Sequence, residues 1–438
     1  MLEQNRHSAQ TPHVTFWEAF LVWAKIGMLS FGGPAGQIAL MHREVVEKRK
    51  WLDEENYLSA LNFCMLLPGP EAMQLATYTG WRLHGVLGGL AAGLMFVLPG
   101  ACVVLALSII YVAFGNIPII ETAFFIIKAF ILVIVIEALI KISKRTLHHI
   151  SHWLIAALAF VAIFFFTVPY PLIIISAALA GVFLVQQQPQ TSPQEGVSLT
   201  HPWDKTLITA LTWVAIWIIP LLSMRAVLGG DHILTQLGFF FSTLAVVTFG
   251  GAYAVLAYMG QAAVETHSWL SASEMLDGLG LAETTPGPLI LVTEFVGYLA
   301  SARIDGTHNI WLGIAGVLVT LWATFIPCFL FIFTGAPYVQ YLTSIPKLKG
   351  ALQGIVAAVV GIILNLSIWF ALHVFSPGIQ EKWYGPLRYW ELPASGLDTT
   401  AVLLCALAAA FALRHYILWM FGVIGLYITM AVLWIIMR

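Results

Sequence analysis

Two stretches of this chain, 218 residues apart, repeat the same helix-breaking residues inside apolar sequence. The first reads Phe31-Gly32-Gly33, then Trp51-Leu52, then Pro68-Gly69-Pro70; the second reads Phe249-Gly250-Gly251, then Trp269-Leu270, then Pro286-Gly287-Pro288. Met41 and Met259, Glu47 and Glu265, and Leu61 and Leu279 keep the same spacing. A helix break frees backbone groups that lipid cannot satisfy, so it survives in a membrane only when buried in protein or lining a wet cavity. Two matched sets of breaks constrain the chain to two repeats with interrupted helices, the build of many secondary transporters.

Composition supplies the membrane. Of the 438 residues, 60% are hydrophobic and 10% charged, against about 25% charged in a soluble domain. Uninterrupted apolar runs such as Gly85–Val112, Ala351–Val374 and Ile417–Met437 exceed the ~18 residues that mark a spanning helix. The expected fold is an all-α polytopic membrane protein with about 9–13 membrane segments. The net charge of −2 gives no field that would favour nucleic acid.

Five regions follow from the breaks and the polar stretches. Residues 1–15 form a polar tail, 16–187 the first repeat, 188–206 a polar linker, 207–231 an extra helix, and 232–438 the second repeat. In the first repeat, short helices are expected over Phe16–Ser30, Ala35–Lys50, Asp53–Leu66 with Asp53 as N-cap, and Glu71–Trp81. Each is too short to cross about 30 Å at 1.5 Å per residue. Longer spans follow from Gly85 and from Pro118, and the second repeat keeps the order. Past Pro-Gly-Pro the spacing drifts, with Gly80 matching Gly297 and Pro99 matching Pro327.

Lys and Arg near span ends mark the cytoplasmic side. The segment after Gly32-Gly33 carries Arg43, Lys48, Arg49 and Lys50, whereas its counterpart at 261–268 has neither Lys nor Arg. Opposite bias at equivalent positions predicts that the halves insert in opposite orientations, the helix at 207–224 inverting the second. Duplicated packing glycines with unrelated loop charges is the plainer alternative.

Candidate chemistry gathers at the breaks. A helix start offers free N–H groups and partial positive charge, so Pro-Gly-Pro followed by a helix favours an anion. Candidate substrate contacts are Gly32, Gly33, Pro34, Pro68, Gly69, Pro70, Gly250, Gly251, Thr285, Pro286, Gly287 and Pro288, with Lys25 and Arg82 as sources of positive charge. Arg82 and Arg303 equally suit snorkelling to the interface. Ionisable residues inside a membrane are functional candidates, which singles out Glu71, Glu283 and Glu294 for proton coupling. Glu71 could instead stabilise the helix start it occupies. Lys128 and Glu137 are nine residues apart, so they do not pair along one helix, and Lys128 is expected to face the bundle interior. His148, His149 and His152 lack further metal ligands and read as a solvated face. No two of the four cysteines are spaced as CxxC, and neither HExxH nor GxSxG occurs. An enzyme, a metal site and a cofactor are therefore not expected.

Phe31-Gly32-Gly33-Pro34, Trp51-Leu52, Leu67-Pro68-Gly69-Pro70 and Leu98-Pro99-Gly100 resemble the chromate ion transporter (CHR) family. The second set resembles the second domain of its long-chain members. The resemblance implies efflux of chromate across the bacterial inner membrane, with the proton-motive force as a candidate driver. The partners to expect are chromate or a similar oxyanion, protons, the lipid bilayer and a second copy of the chain. Another oxyanion such as sulfate, or an anion channel, would use the same architecture. The repeats are unequal: Pro34 becomes Ala252 and Glu71 becomes Leu289. A family role for that proline or carboxylate carries over to the first half alone.

Overall fold

A computed structural model describes residues 14–31, 33–114, 117–184, 203–304, 308–376, 378–393 and 396–412. Gly32, most of the 188–206 linker and the apolar run Ile417–Met437 lie outside the described residues. The described chain is almost wholly helical, as the patterning requires.

The first half opens with α1 (Phe16–Leu29), α2 (Gly33–His42) and α3 (Glu54–Leu66). Asp53 caps α3, its carboxylate accepting from the Asn56 N–H at 2.7 Å. Helix α4 (Glu71–Phe114) is two helices, broken at His84 and Gly85 into arms 71–83 and 86–114, here α4a and α4b. The arms fold back closely, for a methyl at Gly80 would press into the Gly88 carbonyl. Then come α5 (Pro118–Thr146), α6 (Ile150–Phe166) and α7 (Tyr170–Leu184). Helix α8 (Trp203–Leu228) is the extra helix, and its apolar surface is left mostly uncovered by protein.

The second half repeats the series as α9 (Ile233–Val247), α10 (Ala252–Gln261), α11 (Ala272–Thr284), α12 (Val292–Ala302) and α13 (Ile310–Gly335). The match extends to backbone detail at the same spacing of 218. Both α2 and α10 run into a π-helical turn, Arg43–Lys48 and Ala262–Thr266. Lys50 and Ser268 both adopt positive φ, 53° and 51°. Trp51 donates its N–H to Val45 at 2.8 Å, and Trp269 to Ala263 at 2.9 Å. Ser271 caps α11 where Asp53 caps α3. The chain continues through α14 (Val339–Ser344), α15 (Pro346–Phe375), a hairpin of β1 (Gln380–Tyr384) and β2 (Leu387–Glu391), and α16 (Thr399–Ala412).

Five helices are long and apolar enough to cross a membrane, and five shorter apolar ones accompany them among the described residues. Helices α1, α4, α8, α9, α12 and α13 pack as one group, and α5, α6, α7, α15 and α16 as another. The short helices α10 and α11 touch the second group through α15 and α5. Lipid tails offer no hydrophobic drive for helix association, so close packing at small residues has to supply it. Gly354 and Gly361 of α15 accordingly lie against the Ala177 carbonyl of α7 and the Ala156 carbonyl of α6.

One local expectation is corrected: His152 is buried rather than on a solvated face, with its ring against His149 at 5.5 Å. Residues 380–391 form the β1–β2 hairpin. Its buried Arg388 donates to the Ile163 and Phe164 carbonyls that end α6, at 3.1 and 2.9 Å, and pairs with Glu265 at 3.2 Å. A guanidinium at a helix C-terminus meets both the free carbonyls and the negative end of the dipole.

Candidate functional site

The two kinds of break meet across the halves rather than within them. Gly69 of the first Pro-Gly-Pro donates its N–H to Thr248, just before the second Gly-Gly, at 3.0 Å. Gly287 of the second Pro-Gly-Pro donates to Ser30, just before the first Gly-Gly, at 2.9 Å. Ser30 and Thr248 are themselves 218 residues apart, as are Gly69 and Gly287. Both glycines hold φ near +100°, at 108° and 95°, a region that side-chain-bearing residues avoid. That conformation turns the N–H toward the opposite half. The Ser30 and Thr248 hydroxyls donate back to the carbonyls four residues earlier, Ile26 and Leu244. Each break is thereby satisfied by protein, as lipid demands.

The long helices close the same crossing. Gly100, after Pro99 in α4b, lies against the Pro286 carbonyl of the other half. Cys328, after Pro327 in α13, lies against Gly69, where a methyl would stand 3.0 Å from its sulfur. Each Pro-Gly-Pro is therefore held by the Gly-Gly break and the proline-containing span of the opposite repeat. Buried Gln37 adds a bond present in one half only, its amide N–H₂ donating to the Gly287 carbonyl at 2.6 Å. Gln74 does the same within its own half, donating to Pro68 at 2.7 Å. Sequence reasoning missed Gln37; a buried amide beside a break was the available signal.

Four helix starts converge here: α2 at Gly33-Pro34, α4a at Glu71, α10 at Gly251-Ala252, and the turn Leu289–Leu291 that leads into α12. The two Gly-Gly starts differ. Beyond its chain neighbours and its own helix, the position a methyl would take on Gly33 has no atom of the described residues within 4 Å. The same position on Gly251 is 3.5 Å from a carboxylate oxygen of Glu71. Glu283 reaches the same start, accepting from Tyr253, the second residue of α10, at 2.9 Å. Two carboxylates thus attend α10, where the matching residues of the other half are Leu289 and Met65. Thr285 caps α11, its hydroxyl donating to Ala282 at 3.3 Å. Gly250, at φ 83°, packs on Val359 of α15.

The remaining candidates lie elsewhere. Lys25 pairs with Glu44 at 3.3 Å, in a cluster that also holds Lys48 and Arg49 on that buried carboxylate. Arg82 is exposed at the far end of α4a, and Arg303 pairs with Glu274. Glu294 is buried in α12, about two turns beyond the second Pro-Gly-Pro. Lys128 does face the interior, and its partner is Asp277 of α11, 3.1 Å away. Tyr111 of α4b donates to the other Asp277 oxygen at 2.8 Å. This buried pair joins the halves. Asp277 escaped the sequence reading, although an Asp inside the apolar run Met275-Leu276-Asp277-Gly278-Leu279 was signal enough.

The model of the chromate transporter family matches residues 17–182 and 235–431. A chromate transport protein from Cupriavidus metallidurans is 28% identical over 364 residues, covering 82% of this chain and 84% of that protein. A protein of the same name from Pseudomonas aeruginosa is 29% identical over 367 residues, 81% of each chain. An uncharacterized transporter from Methanocaldococcus jannaschii is 27% identical over 362 residues. No solved structure matches the chain.

Proposed function

The chain belongs to the chromate transporter family, and from that premise we propose a secondary active transporter that exports chromate across the bacterial inner membrane and so confers resistance to it. The observation that carries the proposal is the reciprocal bonding of Gly69 to Thr248 and Gly287 to Ser30, which gathers four helix starts at one crossing. Helix starts present N–H groups and positive potential to an anion without burying a formal positive charge. The open start at Gly33-Pro34 is the proposed seat of the oxyanion, with Pro68–Pro70, Gly250 and Pro286–Pro288 forming the walls. The start at Gly251 is held by Glu71 and Glu283, which carry the coupling proton.

Opposite charge bias in matched loops, Arg43 to Lys50 against residues 261–268, supports opposite orientations of the halves in the bilayer. Rocking of one half against the other about the crossing would then expose the site to each side in turn. The relatives named as chromate transport proteins support the substrate. The test compares cells with and without the chain for chromate accumulation and growth in chromate. Lower accumulation and better growth are expected with the chain; equal values would reject chromate export.

Unequal carboxylates predict unequal variants. Glu71→Gln removes a titrating group beside α10, so chromate flux measured across a pH series should lose most of its pH dependence. Leu289→Gln, at the matched position, should leave the profile in place. Identical profiles for the two variants would remove Glu71 from the coupling step.

A further inference from the structure

We propose that Glu294, Thr293, Thr320 and Thr324 form a site for one small monovalent cation of the sodium class, buried between α12 and α13 of the second half. Neither Glu294 carboxylate oxygen makes a hydrogen bond to protein, and the side chain is almost completely buried. The hydroxyls of Thr293, Thr320 and Thr324 are equally buried and equally unbonded. Thr235 is the one other buried threonine of this kind among the described residues. Thr77, Thr79, Thr248 and Thr334 all donate back to the carbonyl four residues earlier. Buried polar groups in proteins are almost always partnered, so five unbonded oxygens on two neighbouring helices point to a missing ligand.

The register of the two helices places these oxygens on two adjacent turns of their interface. Helix α12 packs along α13, with Gly313 against Ala302, Gly316 against Ser301, and Thr320 against Gly297. The order descends on α12 as it rises on α13, so the helices are antiparallel. One further turn along that register sets Thr324 opposite Thr293 and Glu294.

Charge selects the ion class. One carboxylate balances one positive charge, and no Lys, Arg or His forms an ion pair with Glu294 among the described residues. A divalent ion would leave a net positive charge buried, which is costly. A proton would neutralise Glu294 but give the three hydroxyls and the second carboxylate oxygen no ligand. A cation bound by oxygens uses all of them. The approach of α12 to α13 through Gly297, Gly313 and Gly316 favours a small ion.

The first half lacks the site. The spacing of Gly80 to Gly297 matches Ala76 with Thr293 and Thr77 with Glu294. The spacing of Pro99 to Pro327 matches Ala92 with Thr320 and Phe96 with Thr324. Thr77, the single polar member of that set, is bonded to Met73 at 2.9 Å. The same packed interface therefore forms without four oxygen-bearing side chains, and packing alone does not account for them in the second half. Coupling of this cation to anion movement, five residues and more from Pro286–Pro288, rests on the transporter reading; binding does not.

Purified full-length chain in lipid nanodiscs, in sodium-free choline buffer, tests the site with radioactive sodium. Saturable binding of about one ion per chain is expected. Glu294→Gln should abolish it, and Thr324→Val, which keeps the packed shape, should shift saturation to higher sodium. No saturable sodium binding, or binding unchanged in both variants, overturns the site. The readout uses no chromate: a chain that moves chromate but binds no sodium defeats this inference alone, and the converse result defeats the chromate proposal alone.

Discussion

Gly100→Ala is expected to cut chromate flux by at least about tenfold, the effect of ~1.4 kcal/mol, while the protein still inserts in the membrane. A methyl on Gly100 would press into the Pro286 carbonyl and stand 2.6 Å from the Leu291 side chain. The first obstacle is backbone, held in turn by the Gly287 bond to Ser30. Overpacking of this kind costs about 1–3 kcal/mol and forces backbone shifts. The shift falls on the turn that sets the helix start at Leu289. Gly230→Ala is the control, for its methyl would meet no other described residue within 4 Å, its chain neighbours aside. Efflux from cells, normalised to the amount of chain in the membrane, gives the comparison. Wild-type flux in Gly100→Ala would mean that the crossing of α4b with the second Pro-Gly-Pro does not support transport.

The second large effect is on stability. Lys128→Met leaves the Asp277 carboxylate buried with Tyr111 as its remaining partner. Removing one member of a buried pair costs about 3–5 kcal/mol, because an uncompensated charge stays behind. Replacing both members with apolar residues of similar volume is often close to neutral. The double variant Lys128→Met with Asp277→Leu should therefore regain most of the thermal stability lost in the single one. Thermal unfolding of purified protein measures both. A double variant no more stable than Lys128→Met would show that the two charges are not coupled across the halves.

The sequence disclosed the local breaks because they are local. Gly-Gly and Pro-Gly-Pro stop a helix wherever they stand, and Asp53 caps α3 through its own next turn. The extents of α1 and α3 were legible within a few residues for that reason, and the order of α9 to α12 followed from the repeat. The hairpin at 380–391 was not legible, although Gly385-Pro386 between Tyr384 and Leu387 makes a two-residue connection with Gly leading. Its aromatic content hid the alternation. What a repeat cannot disclose is which copy a break will bond. Spacing pairs Gly69 with Gly287, but the structure bonds each to the other half's Gly-Gly region, through tertiary contact alone. Lys128 shows the same limit: its helix offered Glu137, whose partner is Lys141 at 2.5 Å, while its own partner came from the opposite half. Lys25 was legible as a source of positive charge but not as one neutralised by Glu44.

The most direct measurement is flux of radiolabelled chromate into liposomes that contain the purified chain as the one protein. Saturable uptake above protein-free liposomes, responsive to an imposed pH gradient and lost in Gly100→Ala, is the predicted result. Uptake equal to that of protein-free liposomes, at every gradient tried, would contradict chromate transport by this chain.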